Sequence, residues 1–381
     1  MFNVAFQVSN IAVMMIQSFL LPFFIGMESF GKGILLLSPV FIAQGIVEPI
    51  FQGYFNRNKL TFSIVLVFSL IMFSLIFVTV MGIFIDSKDL ALIFLFSIVY
   101  ICFTAFQSYF MANGKMKIVA FAVGALAISY GLMAVVGCFL ELGYLVLLYS
   151  NLLSFFIAFL LYFFFVLKLR VNVAWKFDDS VNNLVSSSLM RLPYVFLSSG
   201  LIVVSGFFGY SHDAIARLKI FSSIVNSGRY FNLIPLSLLQ VEMGKRVDDG
   251  YHPFRWSFFY KYTLGVLVFT IVSCFTMPYF FEYFYQDDFL FEICYFFAFF
   301  LIMVQPVLYV TYHYLSSCNY ATWKLYLLLT FFLASFAILL FFFSLGLITI
   351  FSILSGFLFL LSLMLFNYFW NCYETNITRH G

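Results

Sequence analysis

Apolar runs of about twenty residues, each closed by a short polar interruption, recur from one end of the chain to the other. A run of that length crosses the hydrocarbon core of a bilayer as a helix. The pattern predicts twelve spans, near 3–25, 33–55, 61–85, 90–112, 118–138, 145–167, 184–208, 214–241, 257–281, 292–315, 323–343 and 347–370. The longest interruptions, 168–183 and 242–256, are too short to hold a soluble domain. The first run is apolar from Met1, with no basic leader and no small-residue cleavage site, and is expected to be a transmembrane helix rather than a signal peptide. Composition agrees: 64% of the residues are hydrophobic and 9% charged, where soluble domains keep about a quarter charged. The expected fold class is therefore all-α integral membrane, and the 58 Phe residues are read as apolar filling for the spans.

Charge orients the spans. With the N-terminus in the cytoplasm, the inner loops and tail hold Arg57, Lys59, Lys115, Lys117, Lys168, Arg170, Lys176, Lys245, Arg246, Arg255, Lys324 and Arg379. The outer loops hold only Lys32 and Lys88, beside nine carboxylates that include Glu28, Glu141 and Asp213. Because cations are retained on the cytoplasmic side, this split predicts cytoplasmic N- and C-termini. Of the nineteen cations, five remain within or at the ends of spans: Arg191, Arg217, Lys219, Arg229 and Lys261. Only Glu48 and Glu242 remain among the carboxylates. A cation inside a membrane is costly and marks function by default, and a net-positive interior favours an anionic cargo.

The chain also repeats. Sliding it by 185 residues sets Lys32 on Arg217, Ser38 on Ser223 and Gln44 on Arg229, and brings Pro49 within one residue of Pro235. Two copies of six spans run the same way up, related by an axis along the membrane normal, with a cleft between them. The expected domains are two six-helix bundles, 1–180 and 181–381.

Helical periodicity shows where the polar residues converge. At about 100° per residue, Asn3, Gln7, Asn10 and Gln17 of span one fall within about 80° of one another. Gln44, Glu48 and Gln52 step by four along span two. Ser188, Arg191, Ser198 and Ser205 share a face of span seven, and Lys219, Ser222, Ser223, Asn226, Arg229 and Tyr230 share one of span eight. Arg217 lies opposite that last face and is expected to reach outward to the headgroups. Candidate cargo-binding residues are Arg229, Arg191, Lys219, Lys261, Asn226, Gln7, Asn10 and Gln44. Glu48 is the candidate for ion coupling, with a structural pair to Arg229 as its other reading. Ser, Asn and Gln in such helices also serve as interhelical glue, and Arg191 and Lys261 stand near helix ends, where they can snorkel.

The segment "LPFFIGMESFGKGILLLSPVFIAQGIVEP" and the six-plus-six plan resemble the multidrug/oligosaccharidyl-lipid/polysaccharide (MOP) exporter superfamily. Within it, the chain is similar to the O-antigen and polysaccharide-unit flippases of the Wzx type. Met27 before a single acidic residue, and a second copy without its glycines, depart from the family pattern. The resemblance implies a MATE-like pair of bundles in the bacterial inner membrane. It implies alternating access, with an undecaprenyl-diphosphate-linked oligosaccharide as cargo and an O-antigen polymerase and chain-length regulator as partners. Arg suits a diphosphate through its planar fork of donors, and the amides offer both donors and acceptors to sugar hydroxyls.

Two rivals are weighed against this. An O-antigen polymerase, a membrane glycosyltransferase, would carry a large outer loop bearing Arg or His, whereas the longest loops here are expected inside. A cation-coupled drug antiporter would place carboxylates in span one or seven, where this chain has none and has Arg191. Flippases for other lipid-linked precursors fit equally well. No phosphate-binding loop, catalytic triad or nucleic-acid-binding pattern is present. The six scattered cysteines suggest neither a disulfide framework nor a metal site. The expectation is a transporter, not an enzyme, with no cofactor and no metal.

Overall fold

The computed structural model describes residues 2–57, 61–82, 89–175, 195 and 199–227, with further helical positions between 256 and 283 and between 360 and 370. The chain divides into two compact units, Met1–Ile220 and Phe221–Gly381. The boundary expected at residue 180 lies outside the described residues.

Six helices of the first unit are long and apolar enough to cross a membrane: Phe2–Ile25, Met27–Phe55, Ile64–Met81, Leu90–Ala112, Met116–Phe139 and Leu145–Leu169. They match the first six expected spans. We label the first α1 and the next five, over their full helical extents, α2 (Met27–Arg57), α3 (Ile64–Gly82), α4 (Leu90–Ala112), α5 (Met116–Phe139) and α6 (Leu145–Leu169). Helices α7 (Leu201–Phe207) and α8 (His212–Ser227) follow. Helix α7 falls inside expected span seven and α8 overlaps expected span eight, starting two residues before it; spans ten and eleven lie outside the described residues.

Pro22 shapes α1. It brings no N–H and crowds the carbonyl four residues earlier, which widens the preceding turn. The turn Ile16–Leu20 is accordingly a π-helix, closed by a bond from the Leu21 N–H to the Ile16 carbonyl. Gly26, at φ 81°, then lets a single residue join α1 to α2, a conformation that costs glycine little.

The core of this unit is aromatic. Helix α6 packs on α5 and α4, α4 packs on α2, and α1 packs on α5. Phe41, Phe96, Tyr100, Phe103, Phe155 and Tyr162 form a continuous run of ring contacts across α2, α4 and α6, with centroid spacings of 4.4–6.5 Å. The Phe content thus supplies the packing of the bundle as well as its lipid face.

A two-residue parallel bridge pairs β1 (Phe62–Ser63) with β2 (Val173–Ala174). It ties the start of α3 to the end of α6, four crossings apart along the chain. Within the bundle, the hydroxyls of Ser74 and Ser97 bond at 2.6 Å between α3 and α4. Ser74→Ala is expected to cost about 0.6 kcal/mol, the average for such a bond between membrane helices. Thermal unfolding in detergent checks this, and a loss above about 2 kcal/mol would exceed what one such bond supplies.

Candidate functional site

Helix α2 carries the densest polar face. The spacing of four along Gln44, Glu48 and Gln52 puts the three side chains one above another. The Gln44 amide donates to Glu48 Oε2 at 3.2 Å, and the Gln52 amide donates to Glu48 Oε1 at 2.9 Å. Both carboxylate oxygens therefore accept from amides of their own helix, one turn before and one turn after. Gln52 is buried and Glu48 half-buried. Pro49 stands beside Glu48 inside this helix, and Pro39 lies in the same helix, before the ladder. Each proline removes one backbone donor from the helical ladder.

Helix α8 meets α2 at two levels. Near the helix starts, Gly31 lies against the backbone carbonyl of His212 so closely that a Cβ would overlap it. Deeper along both helices, Lys219 Nζ lies 5.9 Å from the centre of the Phe41 ring, at the edge of the range in which a cation is attracted by a ring face. Phe41 precedes Gln44 by three residues, so Lys219 reaches α2 within a turn of the Gln44–Glu48–Gln52 ladder. Ser222 and Ser223 on the same helix are buried, as is Ser38 on α2. Ser38 donates to the Ile34 carbonyl at 2.7 Å.

Helix α1 supplies amides. Ser9 and Ile16 face α5, where they approach Gly124 and Gly131. Gln7 and Asn10 lie about 160° and 100° round the helix from Ser9, so their stripe is turned away from α5. Both are half-buried, and neither forms a hydrogen bond among the described residues. Gln17 sits in the π turn, where its amide nitrogen is buried without a hydrogen-bond partner.

The structure thus sets Lys219 against Phe41, three residues before Gln44 on α2, and places Gln7 and Asn10 on one face of α1. Asn226 continues α8, with a side chain outside the described set. Arg229, Arg191 and Lys261 lie outside the described residues. Among the described residues, no group of three His, Cys, Asp or Glu side chains is placed to hold a metal ion.

Two features escaped the sequence reading. Arg217 does turn toward the helix start, and its Nε meets Asp213 Oδ2 there at 2.8 Å. Lys32 Nζ stands 4.2 Å from the Tyr144 ring centre. A signal for the first was present. Helices α2 and α8 start at Met27 and His212, 185 residues apart, and that offset sets Glu28 on Asp213 as it sets Lys32 on Arg217. Both acids lie in the first helical turn, where the helix dipole favours them.

Several solved structures match the whole chain, and two of them share a TM-score of 0.61. One is described as the inward-facing conformation of a multidrug resistance MATE family transporter of the MOP superfamily: TM-score 0.61, 13% identity, 98% of this chain and 95% of that one. The other is a MATE structure in complex with MaL6: TM-score 0.61, 12% identity, 98% and 94% covered. The chain has the fold of the MATE transporters. Its apolar helices make it a multi-pass membrane protein, and at this level of identity the likeness speaks for the fold alone. No family model matches the sequence. No curated protein matches it either.

Proposed function

We propose that this MATE-fold chain is a flippase. It carries a lipid-diphosphate-linked oligosaccharide, with undecaprenyl as the lipid, from the cytoplasmic to the periplasmic leaflet of a bacterial inner membrane by alternating access. The observation that carries the reading is the sign of the charge within or at the ends of the spans, where five cations, of which Arg217 is paired with Asp213, stand against two carboxylates. Of those carboxylates, Glu48 is bonded through both oxygens to the amides of Gln44 and Gln52. Lys219 lies against Phe41, three residues before Gln44, and the half-buried amides of Gln7 and Asn10 are the proposed partners of sugar hydroxyls. Arg229, Arg191, Lys261 and Asn226 complete the proposed cargo site. An O-antigen polymerase and a chain-length regulator are its proposed partners.

The membrane potential supplies a direction. With the cytoplasm negative, each negative charge moved outward gains about 2.3 kcal/mol per 100 mV. Two charges on a diphosphate would double that.

A cation-coupled drug antiporter is the second reading, favoured by the multidrug MATE transporter among the structures of like fold. Against it, span one has no carboxylate with which to attract a cationic drug.

A leaflet assay separates the two. The protein is reconstituted in vesicles with a fluorescent oligosaccharide on undecaprenyl diphosphate, and a membrane-impermeant quencher is added outside. Wild type is expected to expose the inner-leaflet pool to the quencher, and Arg229→Ala to leave it protected. Exposure by both proteins would keep the flippase and return Arg229 to a structural role. A pool that stays protected with wild type would remove the flippase reading.

A further inference from the structure

Helix α6 ends in a strip most of whose residues are exposed. From Leu167 to Trp175, the exposed residues are Leu167, Lys168, Leu169, Arg170, Asn172, Val173 and Trp175, and Trp175 is 75% exposed. Arg170 takes a left-handed conformation, φ 48° and ψ 51°. That ends the helix and starts the short extended segment β2, which is held to Phe62 by the bridge. A strip of Leu, Val and Trp interleaved with Lys and Arg is unsuited to hydrocarbon and to water alike. It suits the boundary between them, where an indole finds apolar chains on one side and carbonyl and phosphate acceptors on the other.

The second unit has a matching place. Trp256 and Trp370 lie 6.4 Å apart, with Tyr260 beside the first and Phe366 beside the second, each 6.2 Å away. Trp256 precedes expected span nine and Trp370 ends span twelve, so this contact joins the equivalents of the α3 start and the α6 end. In each unit, a stretch expected to cross four times therefore returns to its starting level. The chain has four Trp residues. By position in the sequence, Trp175, Trp256, Trp323 and Trp370 all fall at the span ends where the cations of the inner loops gather.

We infer that the Leu167–Trp175 strip is a binding surface for the headgroup layer of anionic phospholipid, in which Trp175 seats at the glycerol level while Lys168 and Arg170 take the lipid phosphates. The occupant is chosen by charge: the exposed cations of the strip meet no carboxylate within it, and an anionic leaflet attracts each nearby Lys or Arg by roughly fivefold in local lipid preference. The strip is independent of the cargo site, and its test does not require transport.

The test uses full-length protein in which Trp256, Trp323 and Trp370 are replaced by Phe, so that Trp175 is the one reporter. It is reconstituted in phosphatidylcholine vesicles holding a fixed fraction of brominated lipid, with the bromines near either the headgroup or the chain ends. Quenching of Trp175 is expected to be strongest for bromines near the headgroup. Brominated phosphatidylglycerol is expected to quench several-fold more than brominated phosphatidylcholine at equal fraction. In Lys168→Gln/Arg170→Gln protein that preference should fall to near one, with the depth unchanged. Emission at the wavelength of water-exposed indole with no lipid quenching would overturn the proposal, as would equal quenching by the two headgroups in the parent protein. Size-exclusion chromatography in detergent confirms that each variant is folded, and the Gln pair tests the charge claim without touching Trp175.

Discussion

Replacing Gly31 by valine is expected to abolish transport while leaving the protein able to insert and fold. The backbone carbonyl of His212 occupies the space that a side chain at residue 31 would need. A backbone atom cannot swing aside as a side-chain tip can, so relief requires the first turns of α2 and α8 to separate. Overpacking of that kind costs about 1–3 kcal/mol, enough to shift an equilibrium between two arrangements by about fivefold to a hundredfold. In the flippase reading this end of the helices is expected on the outer side of the membrane, where alternating access would close and open it once per cycle. Valine would prop it open. The check is an accessibility measurement paired with the leaflet assay. In a background without the six native cysteines, Ser211→Cys is labelled by an impermeant maleimide from outside. The Gly31→Val protein should label several-fold faster and flip no lipid. Wild-type labelling together with wild-type transport would show that the close approach has no part in the cycle.

Glu48→Gln is the second large effect. In the flippase reading, Glu48 is where a proton or a sodium ion would couple to movement of the cargo, and its carboxylate is held in place by Gln44 and Gln52. Glutamine keeps the shape but not the charge. One of its two terminal atoms becomes a donor facing another donor, so one bond of the ladder is lost. A part-buried polar group left without its partner costs about 1–3 kcal/mol, visible as a lower unfolding temperature. Functionally, transport by the variant is expected to lose its dependence on pH, measured as initial flipping rate across a pH series at constant membrane potential. An unchanged pH profile would remove Glu48 from coupling and leave it a structural clamp on a helix weakened by Pro49.

Much of this chain could be read before any packing was known. The first six spans stand where hydropathy and length set them, because a backbone in hydrocarbon must satisfy its own hydrogen bonds and does so span by span. The Gln44–Glu48–Gln52 ladder was equally legible, since residues four apart on a helix meet whatever surrounds them. The 185-residue repeat reached to the first residues of α2 and α8 for the same local reason: each copy begins where a loop ends.

Tertiary structure decided the rest. That Lys219 lies over Phe41, that Lys32 lies over Tyr144, and that Gly31 meets the backbone of His212 could not be read from any periodicity. In a soluble protein the apolar face of a helix announces its packing partner. In a membrane the face toward lipid is as apolar as the face toward a neighbouring helix, and a chain this rich in Phe makes the two alike in sequence. Only the fold distinguishes them, by where small residues allow backbones to meet and where a polar side chain finds another within reach.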